Sequence, residues 1–327
     1  MVDPKYHEAA CNALRAFSVS PKELAFVSHS ENISFRVDSH SGHTYVLRLH
    51  RPTYHNYAEL VSEQLWTEAL VEAGVDVPNA VPTTEGCRYT QVQCPDGARF
   101  AGLLKWVEGD ELGSITAKDE DSKSTIESFR LLGQLIAQLH NHAIEWSIPR
   151  GFSRHSFDVD GFVGEQPFWG RYWESPLLEE AQQADLSSIR AEIERVLSSY
   201  KQTQSNYSLI HADLHPHNVI VQGSRLHIID FDDAGFGWHA YDLAVALYQM
   251  KDTSHYQDAK SSLLNGYSDL RNVNQGDEKM IEMFHVVRSL ASIGWVTSRP
   301  ELHRNTRSLC QHLYSDAISG FERLSRG

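Results

Sequence analysis

The 327-residue sequence is short of cysteine: Cys11, Cys87, Cys94 and Cys310 are its four, and no two form a Cys-x-x-Cys pair. That pattern excludes a disulfide framework and a zinc knuckle, and predicts the reduced thiols of a cytoplasmic protein. Positive charge is scarce as well. Lys and Arg number 29 against 43 Asp and Glu, a formal charge of −14. Partners gripped by neutralising phosphate are therefore excluded, so neither nucleic acid nor an anionic membrane is expected. No run approaches the roughly 18 apolar residues of a membrane span. Asp3, Lys5 and Glu8 stand where a signal peptide needs an apolar stretch. Repeats, low-complexity tracts and Gly/Ser linkers are also lacking.

What is present is ordinary globular material, 41% hydrophobic and 22% charged, with an excess of histidine at 18 residues. Ile33, Phe35 and Val37 alternate with polar neighbours, a Ser39-His40-Ser41-Gly42 turn follows, and Tyr45, Leu47 and Leu49 alternate again. This predicts an antiparallel hairpin. Leu60, Val61, Leu65, Ala69 and Leu70 give a helical stripe from Tyr57 to Ala73, stopped by Gly74. A second hairpin is expected between Arg88–Gln93 and Phe100–Val107, so the first hundred residues read as sheet with one helix. Beyond Gly109 the pattern becomes helical: a helix around Phe129–Leu139, an irregular aromatic insertion from Gly151 to Pro176, a helix around Ile189–Leu197 and helix throughout after Ala240. Short strands are expected at Leu209–Ile210, Val219–Val221 and Leu226–Ile229. The composition shift near residues 106–112 marks a lobe boundary, and the fold class is α+β.

The chemistry is concentrated in His211-Ala212-Asp213-Leu214-His215-Pro216-His217-Asn218 and in Ile228-Ile229-Asp230-Phe231-Asp232-Asp233. Short apolar strands deliver carboxylates, an amide and imidazoles to one loop region. Asp230 ends an apolar strand, where strands usually open into a site. Oxygen donors such as Asn218 and Asp230 suit Mg²⁺, which takes one or two carboxylates plus phosphate oxygens. A carboxylate left off the metal can accept a proton from a hydroxyl nucleophile, the layout of phosphoryl transfer. A rival reading makes His211, Asp213, His215 and His217 the ligands of a metal-dependent hydrolase.

The His-x-Asp-x-x-x-x-Asn motif, with Ile-Asp-Phe-Asp about twelve residues later and Gly235-x-Gly237-x-x-x-Tyr241-Asp242 beyond it, resembles the aminoglycoside phosphotransferase and choline kinase-like family, relatives of protein kinases. The resemblance implies a bilobal protein kinase-like fold: a nucleotide-binding N-lobe over residues 1–105, a hinge at 106–110 and a helical C-lobe over 111–327. It implies ATP as co-substrate with Mg²⁺. It makes Asp213 the catalytic base, Asn218 and Asp230 the metal ligands, and His211 and Asp242 supports of the catalytic loop. The family's third-strand lysine is replaced here by Arg48, which alternation puts on the face opposite Leu47 and Leu49, with Glu63 as its helix partner and Glu59 as the rival. The loop at Ser28–Asn32 has no glycine, so Ser30, Asn32 and backbone amides would cover the phosphates. Trp106 and Val107 would line the adenine pocket, with plain core the alternative for Trp106.

Asp232, Trp169, Trp173 and Trp238 are candidates for the acceptor pocket; the aromatic rings could hold a cationic amine or simply pack the lobe. The expected function is phosphoryl transfer from ATP to a hydroxyl of a small, amine-bearing metabolite. The alternative is a protein serine/threonine kinase of the bacterial stress-response type. Arg48 and the glycine-free loop also leave open a weakened kinase-like nucleotide-binding module. A monomer or homodimer is expected.

Overall fold

The computed structural model describes residues 3–117, 122–273, 275–302 and 305–326. The chain divides into two compact units. The first is Met1–Asp110 with Ile148–Ser153 and Ile220–Asp232; the second is Glu111–Ser147, Arg154–Val219 and Asp233–Gly327. The sequence places Ile220–Asp232 within the helical lobe, but the structure gives this segment to the first unit. Ile228 N–H donates to the Asp76 carbonyl at 2.9 Å, and Arg225 pairs with the Asp76 carboxylate. The Ile148–Ser153 segment joins the same unit, with Ser153 N–H donating to Ser62 Oγ at 2.8 Å.

The first unit is a six-stranded antiparallel sheet. Its strands are β1 (Pro21–His29), β2 (Ile33–Ser39), β3 (Thr44–Leu49), β4 (Ala80–Val81), β5 (Thr90–Cys94) and β6 (Gly97–Lys105). The order is β1-β2-β3-β6-β4, with β5 paired to β6. The β2–β3 register sets Ile33 opposite Leu49, Phe35 opposite Leu47 and Val37 opposite Tyr45. One face therefore carries an unbroken apolar layer, as the alternation requires. That layer is covered by α1 (Pro4–Ala16), an element outside the expected one helix, through Ala9, Ala10, Ala13 and Leu14. Helix α1 starts with Asp3 capping Lys5 N–H and Pro4 in the first turn. Its buried stripe is mostly alanine, which carries little hydrophobic signal. Helix α2 (Tyr57–Glu72) opens with a reciprocal box: Asn56 Oδ1 accepts from Glu59 N–H, and Glu59 accepts from Asn56 N–H.

The second unit is mostly helical: α3 (Leu112–Thr116), α4 (Ser122–Glu145), α5 (Val159–Val163), α6 (Glu180–Ser199), α7 (His239–Leu247), α8 (Tyr256–Ser268), α9 (Gln275–Ser298) and α10 (Thr306–Arg326). Helices α4 and α8 cross at glycines. A Cβ on Gly133 would lie 2.0 Å from the Leu263 carbonyl oxygen, and one on Gly266 would lie 1.9 Å from that of Arg130. A small sheet sits among the helices. Gly235–Trp238 pairs antiparallel with Tyr207–Ile210 and parallel with Ser156–Phe157. The Gly235–Trp238 strand lies outside the sequence expectation because half of it is glycine. A Cβ on Gly237 would meet Ile210 Cδ1 at 2.4 Å, so the close approach needs a bare backbone.

The insertion from Gly151 to Pro176 is ordered and contains the short strand Ser156–Phe157 and α5. Among the described residues no helix is long and apolar enough to cross a membrane.

Candidate active site

In the first unit the site is built on β3. Alternation turns Arg48 away from the apolar layer of Leu47 and Leu49, and it is nonetheless buried. Its guanidinium forks: Nη1 donates to Glu63 Oε1 at 3.2 Å and Nη2 to Asp230 Oδ1 at 2.7 Å. Asp232 Oδ1 lies 3.3 Å from the same Nη2 and 3.6 Å from His50 Nδ1. Burial works against the charge on Arg48, but Asp230, Glu63 and Asp232 outweigh it and raise its pKa. Burial also works to raise the Asp232 carboxyl, and His50 and Arg48 more than offset this, holding it ionised well below the usual range. Asp232 is therefore engaged with Arg48 and His50 inside this charge cluster. Glu63, one turn beyond Glu59, faces Arg48 because Glu59 is spent on its own helix cap.

A lysine would keep the charge at position 48 but could not fork to two carboxylates from separate nitrogens. Arg48→Lys is expected to lower the unfolding free energy by about 1–2 kcal/mol, read by urea denaturation.

Two expected phosphate-loop residues differ from each other. Ser30 is exposed, with its N–H donating to the Asn32 carbonyl at 3.1 Å. Asn32 is buried, and its side-chain oxygen accepts from Arg51 N–H at 3.1 Å, so the amide ties two strand ends together instead of standing in the loop. Trp106 and Val107 are half-buried, and the Arg36 guanidinium lies 4.9 Å from the Trp106 ring centre.

In the second unit the centre is Asp213, whose side chain is 21% exposed. Arg288 of α9 pairs with its Oδ1. Asn218 Nδ2 donates both to the Asp213 carbonyl at 2.9 Å and to its Oδ2 at 3.2 Å. His215 Nε2 lies 3.5 Å from Oδ2. Burial works to raise the Asp213 carboxyl, but the charge of Arg288, with His215 and His211, holds it below the ordinary carboxylate range. The carboxylate is thus kept ionised and aimed by two partners. Because the Asn218 nitrogen faces Asp213, its oxygen is turned to the other side, as a hard-cation donor requires.

Below this loop lies Asp242, fully buried on α7. It accepts from His211 N–H at 2.9 Å, Ala212 N–H at 2.7 Å and His140 Nε2 at 3.1 Å. Ala212 adopts φ +65°, a left-handed conformation costly for a residue with a Cβ, and Asp242 holds it there. Asp230 adopts the same φ of +65° in the first unit. His140 stacks on His239 at 4.2 Å and meets the Tyr267 hydroxyl at 2.9 Å. Burial, with Arg271 nearby, keeps His140 neutral to well below the usual histidine range.

The imidazoles do not converge. His211 Nδ1 accepts from Asp213 N–H at 3.3 Å, whereas His217 turns to Glu111 at 2.8 Å. Among the described residues no group of three or more His, Cys, Asp or Glu is placed to hold a metal ion, which removes the support for the hydrolase reading.

The aromatic candidates separate. Trp238 is 1% exposed and packs on Tyr200, Tyr207 and Phe284, so it is core and presents no face to a pocket. Trp173 is buried under Arg190, whose guanidinium lies 3.9 Å from its ring centre. Trp169 stacks on Phe157 at 4.7 Å, and it is the one of the three beside Arg288, at 5.9 Å. Arg288 was not singled out from the sequence. Its signal is a lone charge inside the apolar run Met283–Val296 of α9, where a buried cation demands a partner.

Comparison with known proteins identifies the family and the fold. The model of the phosphotransferase enzyme family matches residues 24–274. A solved microcompartment-associated aminopropanol kinase is 30% identical, superimposes with a TM-score of 0.83, and the match covers 98% of this chain and 97% of that one. Amicoumacin kinase of Bacillus subtilis (strain 168) is 25% identical over 75% of this chain and 69% of its own length. The amicoumacin kinase hAmiN, solved with AMP-PNP and Ca²⁺, shares the fold at a TM-score of 0.78 and 16% identity, over 97% of this chain and 93% of that one. The α+β architecture is kinase-like, and the chain belongs to the phosphotransferase enzyme family.

Proposed function

We propose that the chain transfers the γ-phosphoryl group of ATP to an aliphatic hydroxyl of a small, amine-bearing metabolite. The observation that carries this reading is Asp213, partly exposed and held by Asn218 and Arg288. In the transfer the acceptor oxygen forms a bond to the γ-phosphorus as the bond to the β-phosphate oxygen breaks. The hydroxyl proton passes to Asp213, and ADP leaves. Arg48, braced by Glu63, supplies a fixed cation for the phosphates. Asn218 and Asp230, each an oxygen donor of the kind Mg²⁺ takes, are the residues that would hold the ion, which when bound would neutralise charge on the phosphate oxygens. Ser30 and the backbone amides of its loop would cover the phosphates, and Trp106 and Val107 would flank the base. The relative solved as an aminopropanol kinase supports a short amino alcohol or a close derivative as acceptor. Four cysteines outside any disulfide and the need for ATP support a cytoplasmic location.

The test is ADP release with MgATP across amino alcohols, hydroxy amino acids, aminoglycosides and a generic protein substrate. Turnover with a small hydroxylated amine is expected. Turnover with protein alone would favour a protein kinase, and ATP binding without turnover a binding module.

A further inference from the structure

Two carboxylates of the first unit share one nitrogen of Arg48, and the proposed transfer uses only one of them. Asp230 Oδ1 accepts from Nη2 at 2.7 Å, and Asp232 Oδ1 lies 3.3 Å from the same nitrogen. Between the two, the buried Phe231 ring packs against Trp66 at 5.5 Å and anchors the segment that carries both. They differ in what can reach them. The Asp230 side chain is 43% exposed and the Asp232 side chain 7%. A cation arriving from solvent can meet Asp230, whereas Asp232 stays with Arg48 and with His50, whose Nδ1 is 3.6 Å away. His50 is itself fixed just past β3. Its N–H donates to the Phe100 carbonyl at 2.8 Å, and its ring meets Tyr89 edge-on at 5.3 Å.

Glu63, Asp230 and Asp232 thus stand around one guanidinium. A metal ion that takes Asp230 draws on the acceptor to which Nη2 is closest. Left with Glu63 alone, the guanidinium would be held through Nη1 and could swing about that bond. Nη2 carries two hydrogens, and Asp232 already faces it as a second acceptor. The negative charge of Asp232 also meets part of the Arg48 charge, so that Arg48 competes less with a metal ion for Asp230.

We propose that Asp232, braced by His50, is a positioning residue: it holds the Arg48 guanidinium through Nη2 so that Asp230 is released to the metal ion. The proposal rests on the reading of Asp230 as a metal ligand and of Arg48 as the cation for the phosphates. It adds the residue that lets the two act together.

Binding of a non-hydrolysable ATP analogue to the full chain, followed by calorimetry at graded Mg²⁺, reads this without turnover. In Asp232→Asn, Arg48 keeps Asp230 as its charged acceptor on Nη2. The Mg²⁺ concentration that gives half of the full gain in affinity is then expected to rise about 10-fold. Without Mg²⁺ the same variant is expected to bind the analogue as tightly as the wild type, or up to about 3-fold more tightly, because a negative charge near the phosphate cation is gone. A substitution that merely loosened the first unit would weaken both. Added to Arg48→Gln, Asp232→Asn is expected to move the Mg²⁺ dependence no further, since its effect passes through the guanidinium. His50→Gln, which leaves Asp232 charged but less firmly held, is expected to give a smaller rise of about 3-fold, and it decides the matter if Asp232→Asn does not fold. An unchanged Mg²⁺ requirement, an equal loss of affinity with and without Mg²⁺, or a full shift in the Arg48→Gln background overturns the proposal and leaves the metal reading standing. If the wild type binds the analogue equally well with and without Mg²⁺, the metal reading of Asp230 fails and the proposal fails with it.

Discussion

Asp213→Asn is expected to lower kcat by about 10²–10⁴-fold, the usual contribution of a positioned general base. The substitution is nearly isosteric, and the bond from Asn218 Nδ2 to the carbonyl of residue 213 is a backbone contact that it leaves intact. What is removed is the negative charge that accepts the hydroxyl proton. In barrier terms the loss is about 3–5 kcal/mol. Binding of a non-hydrolysable ATP analogue, followed by calorimetry, should change little, because Arg48 and Glu63 are built on other elements of the first unit. Measurement of kcat by ADP release with a verified acceptor decides the matter. Turnover at the wild-type rate would show that Asp213 does not take the proton.

The catalytic loop is legible in the sequence because its groups are close in the chain. Asp213 and Asn218 are five residues apart, and Asp230 ends an apolar strand, so local pattern alone brings them into view. Arg48 is legible for a different reason. Strand alternation fixes its face, and a charged residue on a strand between buried leucines needs a partner. Which glutamate answers it depends on helix capping: Asn56 and Glu59 are three apart, and that spacing already commits Glu59.

Features built by distant packing are not legible in this way. Helix α1 covers the sheet with alanines, whose periodicity is too weak to read against the polar residues around them. The strand Gly235–Trp238 looks like a loop until Ile210 and Phe157 are seen pressing on Gly237. Trp238 and Trp173 read as pocket residues because aromatics serve both purposes, and only their burial on Tyr200, Phe284 and Arg190 distinguishes the two. Arg288 meets Asp213 through the packing of α9 against α7, a contact that no local pattern encodes.

Asp242→Ala is expected to be the most damaging substitution to stability, lowering the unfolding free energy by about 3–5 kcal/mol. Two buried backbone N–H groups, those of His211 and Ala212, would lose their acceptor, and each costs about 1–3 kcal/mol when left unpaired. His140 would lose its partner as well. Without those bonds nothing specific holds Ala212 at φ +65°, and the loop can relax toward ordinary backbone, carrying Asp213 with it. The rate should therefore fall together with the denaturation midpoint, unlike in Asp213→Asn, where the rate alone falls steeply. Asp242→Asn should be milder, since one amide oxygen can still accept one of the two N–H groups. The two variants also differ in how pH acts. Burial pushes the Asp242 carboxyl up from 3.8 to about 6. A carboxyl raised on folding contributes stability that is complete below the unfolded value and lost as the pH climbs through the folded one. The wild type should therefore gain on Asp242→Asn, which cannot titrate, by about 2 kcal/mol as the pH is lowered from 7 to 4. Urea midpoints for the pair across that range give the answer. A gap that is constant with pH would mean that the carboxyl titrates as it does in the unfolded chain, and that the three donors around it offset the whole cost of its burial.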